Sequence, residues 1–270
     1  MKQPTKAIIC AAGLGTRFLP QTKSIPKEML PIIDKPVIQV IVEKAVAAGV
    51  TDVIIVTREG KTVIEDHFDH NHALEKTRIK DGKDALANQI KAVADMANFI
   101  FIRQKGDLYG SAIPVLSAMN LLEKDEPFFV FFPDDYFRSD TAWPIQLKEA
   151  YNQTGKSVIS LVKVDKKDAD KYGMAVIENE VNEKTFKLGG LLEKPGEANA
   201  PSEYASVGSY LLTPEILPII EQKNPGKNGK NGKGNKPKSE IQEMIQGIPS
   251  LKADKVYFKT QEGKWVEIKD

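Results

Sequence analysis

AIICAAGLGTRFLPQTKSIPKEMLPIIDKPVIQ, residues 7 to 39, decides the fold. It opens with the unbroken apolar run Ala7 to Ala12, the pattern of a strand buried on both faces in a parallel sheet. Gly13-Leu14-Gly15-Thr16-Arg17 follows at once. Two glycines let the chain turn tightly and approach a ligand, and backbone N–H groups in such a turn can point at phosphate oxygens. Arg17 adds a permanent charge with forked donors. Further on, Lys27 stands between Pro26 and Pro31, which stiffen its segment. Glycines, arginine and lysine after a buried strand point to a triphosphate site. The stretch is neither common nucleotide loop. It has no Gly-x-x-x-x-Gly-Lys-Ser/Thr, and it lacks the third glycine of the dinucleotide fingerprint, with Phe18 at that place.

Short apolar runs alternate with helical patterns over the next hundred residues. Asp52 to Val56, Asn98 to Ile102 and Phe128 to Pro133 are expected as buried strands, with helices over Val37 to Ala48, Asp84 to Ala97 and Ser111 to Leu122. Such alternation implies right-handed crossovers and an α/β fold with a mostly parallel central sheet. Ligands then sit beyond the carboxyl ends of the strands, an edge that the Gly13 loop and Asp134 both reach. After about residue 156 the texture becomes strand-like, over Val158 to Val164, Met174 to Glu178, Phe186 to Glu193 and Ala205 to Leu212. These are expected as antiparallel strands laid against the first half. Residues 224 to 238, NPGKNGKNGKGNKPK, contain no apolar residue and read as a mobile loop.

The chain has 270 residues, enough for a full core, and its net charge of +1 argues against a general nucleic-acid binder. Its one cysteine, Cys10, excludes an intrachain disulfide and reads as a small core residue. No apolar run is long enough to span a membrane, and the N-terminus lacks a signal-peptide core, so a cytoplasmic protein is expected.

Residues 7 to 39 closely resemble the N-terminal signature of the sugar nucleotidyltransferases, and among them the bacterial UTP–glucose-1-phosphate uridylyltransferases. The resemblance implies a Rossmann-like three-layer nucleotidyltransferase fold over 1 to 270, with a nucleotide-binding half (1–155) and a sugar-phosphate-binding half (156–270). It implies UDP-glucose and pyrophosphate formed from UTP and glucose 1-phosphate by magnesium-assisted in-line displacement. Gly13, Gly15, Thr16 and Arg17 would hold the phosphates, Lys27 the charge developing at the α-phosphorus. Ala11, Ala12, Gln104 and Gly110 would read the base, since an amide offers both donor and acceptor. Glu193 would bind sugar hydroxyls, Lys194 the sugar phosphate, and Gly173, Val207 and Gly208 would line the sugar pocket with backbone. Val207-Gly208-Ser209-Tyr210 matches the family's Val-Gly-x-Tyr. Arg17, Lys27 and Lys194 are thus the expected catalytic residues.

Magnesium is expected on Asp134, with Asp135 serving the loop instead. At the C-terminal end the family's Asp-x-Gly becomes Glu267-Ile268-Lys269, so Glu267 is the expected second ligand, one methylene longer. The segment Lys105 to Gly110 is shorter than the usual uridylyl version, leaving thymidylyl transfer or another hexose 1-phosphate as alternatives, with a non-catalytic nucleotide-sugar binding protein as a third. The C-terminal helices through which relatives associate have no counterpart, which leaves self-association open. His67, His70 and His72 are taken as part of a helix end and not a metal centre, because residues two apart do not share a helix face.

Overall fold

The computed structural model describes residues 1–104, 110–136, 139–182, 185–223, 256–259 and 265–268, with the backbone alone at 181–182, 222–223, 256–259 and 265–268. In chain order the elements are β1 (Lys6–Cys10), β2 (Pro31–Ile32), β3 (Lys35–Pro36), α1 (Val37–Ala47), β4 (Asp52–Thr57), α2 (Thr62–Phe68), α3 (His72–Lys80), α4 (Asp84–Ala94), β5 (Asn98–Arg103), α5 (Ile113–Ala118) and β6 (Phe128–Phe131). They continue with α6 (Trp143–Thr154), β7 (Val158–Lys163), β8 (Gly173–Asn182), β9 (Thr185–Glu193), β10 (Tyr204–Leu212), α7 (Leu217–Lys223), β11 (Val256–Lys259) and β12 (Trp265–Ile268).

One eight-stranded sheet organises the molecule, in the order β5-β4-β1-β6-β10-β8-β9, with β7 also paired to β10. β5, β4, β1 and β6 are parallel to one another. Their central members are apolar on both faces because helices cover both. Ile8, Ile9, Ile54, Ile55, Phe128, Phe129 and Phe131 are all buried. Each such side chain contributes roughly 1.5–3 kcal/mol relative to exposure. Asn98–Arg103 departs from the expected buried strand: it is the sheet's outer strand and only half-buried.

The second half does not lie against the first as a separate layer. β10 pairs antiparallel with β6, Ser209 opposite Phe131, so its strands extend the same sheet. β8 joins β10 at Ala205–Met174, and β9 joins β8 with Gly173 opposite Glu193. Helix α6, absent from the sequence-based expectation, starts with Pro144 in its first turn and stops at Gly155, whose φ of 69° supplies the left-handed cap. It packs against α1. The expected helix over Ser111 to Leu122 is shorter, with a 3-10 turn over Met119–Leu121. The expected loop at 224–238 lies outside the described residues.

Candidate functional site

Register alone brings the candidate residues to one edge of the sheet. β1 ends with Cys10 opposite Val56, and Ala11 N–H then donates to Val56 O. β4 and β5 end with Thr57 opposite Arg103, and Gln104 N–H donates to Thr57 O. β6 ends at Phe131, and Phe132 N–H donates to Gly208 O. Gly173 and Glu193 close the row at the near ends of β8 and β9. Ala11, Gln104, Asp134, Gly208, Gly173 and Glu193 therefore share the carboxyl edge of the parallel strands, where ligands bind in open α/β sheets.

The loop after β1 turns on Gly15, at φ 67°, a conformation costly for any residue with a Cβ. Thr22 Oγ1 donates to Gly15 O at 2.6 Å and pins the turn. A Cβ on Gly13 would lie 3.4 Å from both Cε and Nζ of Lys27, so the absent side chain leaves the loop backbone against that ammonium. Lys27 Nζ lies 2.6 Å from Asp134 Oδ2. The glycine loop, the lysine segment and the β6 strand end thus converge, although the sequence separates them widely. Thr16 and Arg17 are exposed on the loop.

Beneath this surface lies an ion pair that sequence reading missed. Lys61, just after β4, donates from Nζ to both oxygens of Glu28 at 2.8 Å and to Ala11 O at 2.7 Å. Glu28 is fully buried. Burial pushes the Glu28 carboxyl up and the Lys61 ammonium down, while their mutual attraction opposes both shifts. The pair ties the end of β1 to the segment that carries Lys27. A cleft of about 230 Å³ opens between Gly13, Thr22, Lys27, Arg58 and Lys61. Arg58, also unassigned from sequence, adds a further positive charge to its wall.

Asp135 Oδ2 accepts from Gly208 N–H at 2.7 Å, which ties the segment after β6 to β10. Burial raises its carboxyl pKa, and neighbouring Asp134 adds to this, against the Gly208 N–H, Lys27 and Arg17. A bulge makes the contact. β10 shifts register against β7 between Val207 and Tyr210, which places Gly208 beside Phe132 and Asp135.

On the second half, Lys194 follows β9 with φ 48°, held there by its N–H on Tyr172 O at 2.9 Å. A left-handed lysine is uncommon, and such conformations persist where the surroundings fix them. Glu193 has one carboxylate oxygen out of solvent with no hydrogen-bond donor, the one such carboxylate oxygen among the described residues. Gly110 has φ 148°. Of Glu267 only the backbone is described, on β12 opposite Tyr257, and its side chain lies outside the described structure, as do residues 105–109.

The nucleotidyl transferase family model matches residues 6–266. UTP–glucose-1-phosphate uridylyltransferase 2 of Staphylococcus saprophyticus is 42% identical over 264 residues, covering 97% of this chain and 86% of the relative. The UTP–glucose-1-phosphate uridylyltransferase of Bacillus subtilis is 43% identical over 85% of this chain and 77% of its own. A UTP-bound UGPase from Acinetobacter baumannii superposes with a TM-score of 0.80 at 30% identity, over 100% of this chain and 86% of that one. With a family match over nearly its whole length and relatives more than 40% identical over most of it, the chain belongs to the nucleotidyl transferase family.

Proposed function

We propose that this chain forms UDP-glucose and pyrophosphate from UTP and glucose 1-phosphate. The observation that carries the reading is Lys27 Nζ, set against the glycine loop on one side and 2.6 Å from Asp134 on the other. An ammonium so placed faces where a phosphate chain lying on the loop would meet the strand end. The names of the relatives at 42 and 43% identity support the choice of nucleotide and sugar.

In this reading the Gly13–Arg17 loop and the Arg58 wall bind the β- and γ-phosphates of UTP. Gln104, the backbone at Ala11 and Ala12, and Gly110 bind the base. Glu193, with its undonated oxygen, takes a sugar hydroxyl; Gly173, Val207 and Gly208 form the pocket wall, and Lys194 aims the sugar phosphate. An oxygen of that phosphate attacks the α-phosphorus, and the bond to the bridging oxygen of pyrophosphate breaks with its electron pair. The nucleophile is already ionised, so the protein's work is positioning and charge stabilisation, and no general base is needed.

Carboxylate oxygen suits Mg²⁺, which is held by one or two carboxylates together with substrate phosphates. Asp134 fits: it is part-exposed at the strand end and already balanced by a cation, Lys27. Glu267 is the proposed second ligand on sequence grounds. When bound, the metal would screen phosphate charge where the two substrates meet. Among the described residues no helix is long and apolar enough to cross a membrane, and we place the reaction in the cytoplasm.

Pyrophosphate release from UTP and glucose 1-phosphate, with magnesium or with chelator and with dTTP in parallel, tests the proposal. Magnesium-dependent release with UTP preferred is expected. Preference for dTTP would move the chain to thymidylyl transfer, and UTP binding without release would make it a binding protein.

A further inference from the structure

We infer that His70, His72 and Glu75 form a binding site for a borderline divalent cation such as Zn²⁺, separate from the reaction centre. The three side chains offer ligand atoms all within 4.8 Å of one another. His70 Nδ1 lies 3.2 Å from Glu75 Oε1, and His72 Nδ1 lies 3.6 Å from Glu75 Oε2. Ligands at about 2.0–2.1 Å from a tetrahedral zinc are about 3.4 Å apart, close to each of these spacings, which fall on different oxygens of the one carboxylate.

The surroundings match what such a site needs. His70 presents Nδ1 to the centre, while its Nε2 lies 3.2 Å from Asp95 Oδ1. A carboxylate on the far nitrogen fixes the tautomer and orientation of a metal-binding histidine. Glu75 is buried, whereas the His72 side chain is 74% exposed, leaving a side open for ligand entry and a fourth, water ligand. The intervening backbone is held by Asn71, whose side chain accepts from Leu74 N–H and caps α3. That cap also corrects the expectation from sequence. His70 lies before the helix and His72 opens it, so the helix-face argument does not apply, and the two rings stack with centroids 5.3 Å apart.

Asp95 caps α4 just before β5 begins, which puts the cluster toward the amino edge of the sheet, opposite the carboxyl edge where Asp134 stands. Imidazole ligands favour zinc, copper or nickel over magnesium, so the two cations would sort themselves by ligand chemistry. A bound ion would tie the α2–α3 junction to the end of α4.

The test is calorimetric titration of the chelator-stripped chain with Zn²⁺ in excess Mg²⁺, alongside the visible spectrum with Co²⁺. One equivalent bound, with the intense absorption of tetrahedral Co²⁺, is expected. Asp95→Asn should weaken binding by roughly tenfold. His72→Ala should abolish the one-equivalent phase while leaving zinc-free turnover unchanged, since this exposed residue is remote from the reaction. Saturating Zn²⁺ should raise the Tm of the parent, but not of His72→Ala, by roughly 5 °C. Absence of saturable binding would overturn the inference, as would an isotherm unchanged in a folded His70→Ala/His72→Ala variant.

Discussion

The ammonium of Lys27 lies 2.6 Å from Oδ2 of Asp134, joining a residue of the proline-bounded segment to the carboxyl end of β6. Neither charge is in the core, the two side chains being 14% and 30% exposed. Lys27→Ala is therefore expected to fold normally and to lose about 10²–10³-fold in kcat, the usual scale for removing one preorganised charge from a transition state. Steady-state kinetics with a circular dichroism check measures it, and parent-like turnover in folded variant would remove Lys27 from the reaction.

Lys61 acts one layer below. Replacing it with methionine leaves the fully buried Glu28 without its cation and Ala11 O without a donor. Removing one partner of a buried pair costs about 3–5 kcal/mol, whereas replacing both with apolar groups is often tolerated. Lys61→Met should lose stability on that scale in urea unfolding, and Lys61→Met/Glu28→Leu should recover most of it. Equal losses in the two variants would show that the pair is not coupled.

Asp135 gives a pH signature. Its carboxyl pKa is raised by burial above the ordinary 3.8, so between 3.8 and the folded value the folded chain binds more protons than the unfolded one. Stability from this group then falls as pH rises through that window. Asp135→Asn cannot ionise and keeps an acceptor for the Gly208 N–H. It should melt higher than the parent at neutral pH, and the difference should vanish as pH falls toward 3.8. A constant difference across the range would show that ionisation of Asp135 is not its source.

Gly208 admits no side chain. A Cβ there would lie 2.7 Å from Phe132 Cβ and collide with Asp135 Oδ2. Gly208→Ala should destabilise by about 1–3 kcal/mol, the range for forced overpacking, and should lower kcat/KM by displacing the strand end that bears Asp134. Thermal melts and kinetics on the same preparation would report both, and parent-like values in each would mean the backbone yields without consequence.

What could be read from the sequence was mostly local. The run Ala7 to Ala12 followed by Gly13 and Gly15 announces a buried strand and a tight glycine turn because cause and effect lie within ten residues. The parallel direction of the first-half strands follows from strand–helix alternation. Lys61 escaped notice because its partners lie 33 and 50 positions away, and no local pattern distinguishes it from a surface lysine. Helix α6 did carry a signal: Trp143, Leu147, Ala150 and Tyr151 recur at helical spacing and are all buried. Phe99 and Phe101 misled in the other direction, because an apolar run cannot say whether its strand is central or outermost. The joining of β10 to β6 depends on pairing across some eighty residues, which periodicity does not encode.

That join has a mechanical consequence. From β1 to β9 the sheet takes four ladder steps, through β6, β10 and β8, at about 4.8 Å each, or roughly 19 Å. A hinge between two lobes could vary the spacing between the residues at the end of β1 and those at the end of β9. A hydrogen-bonded sheet that runs from one to the other, narrowest at the Ala205–Met174 join, resists such a change. The sheet is thus a ruler, and any opening for substrate entry or product exit falls to the loops along its edge.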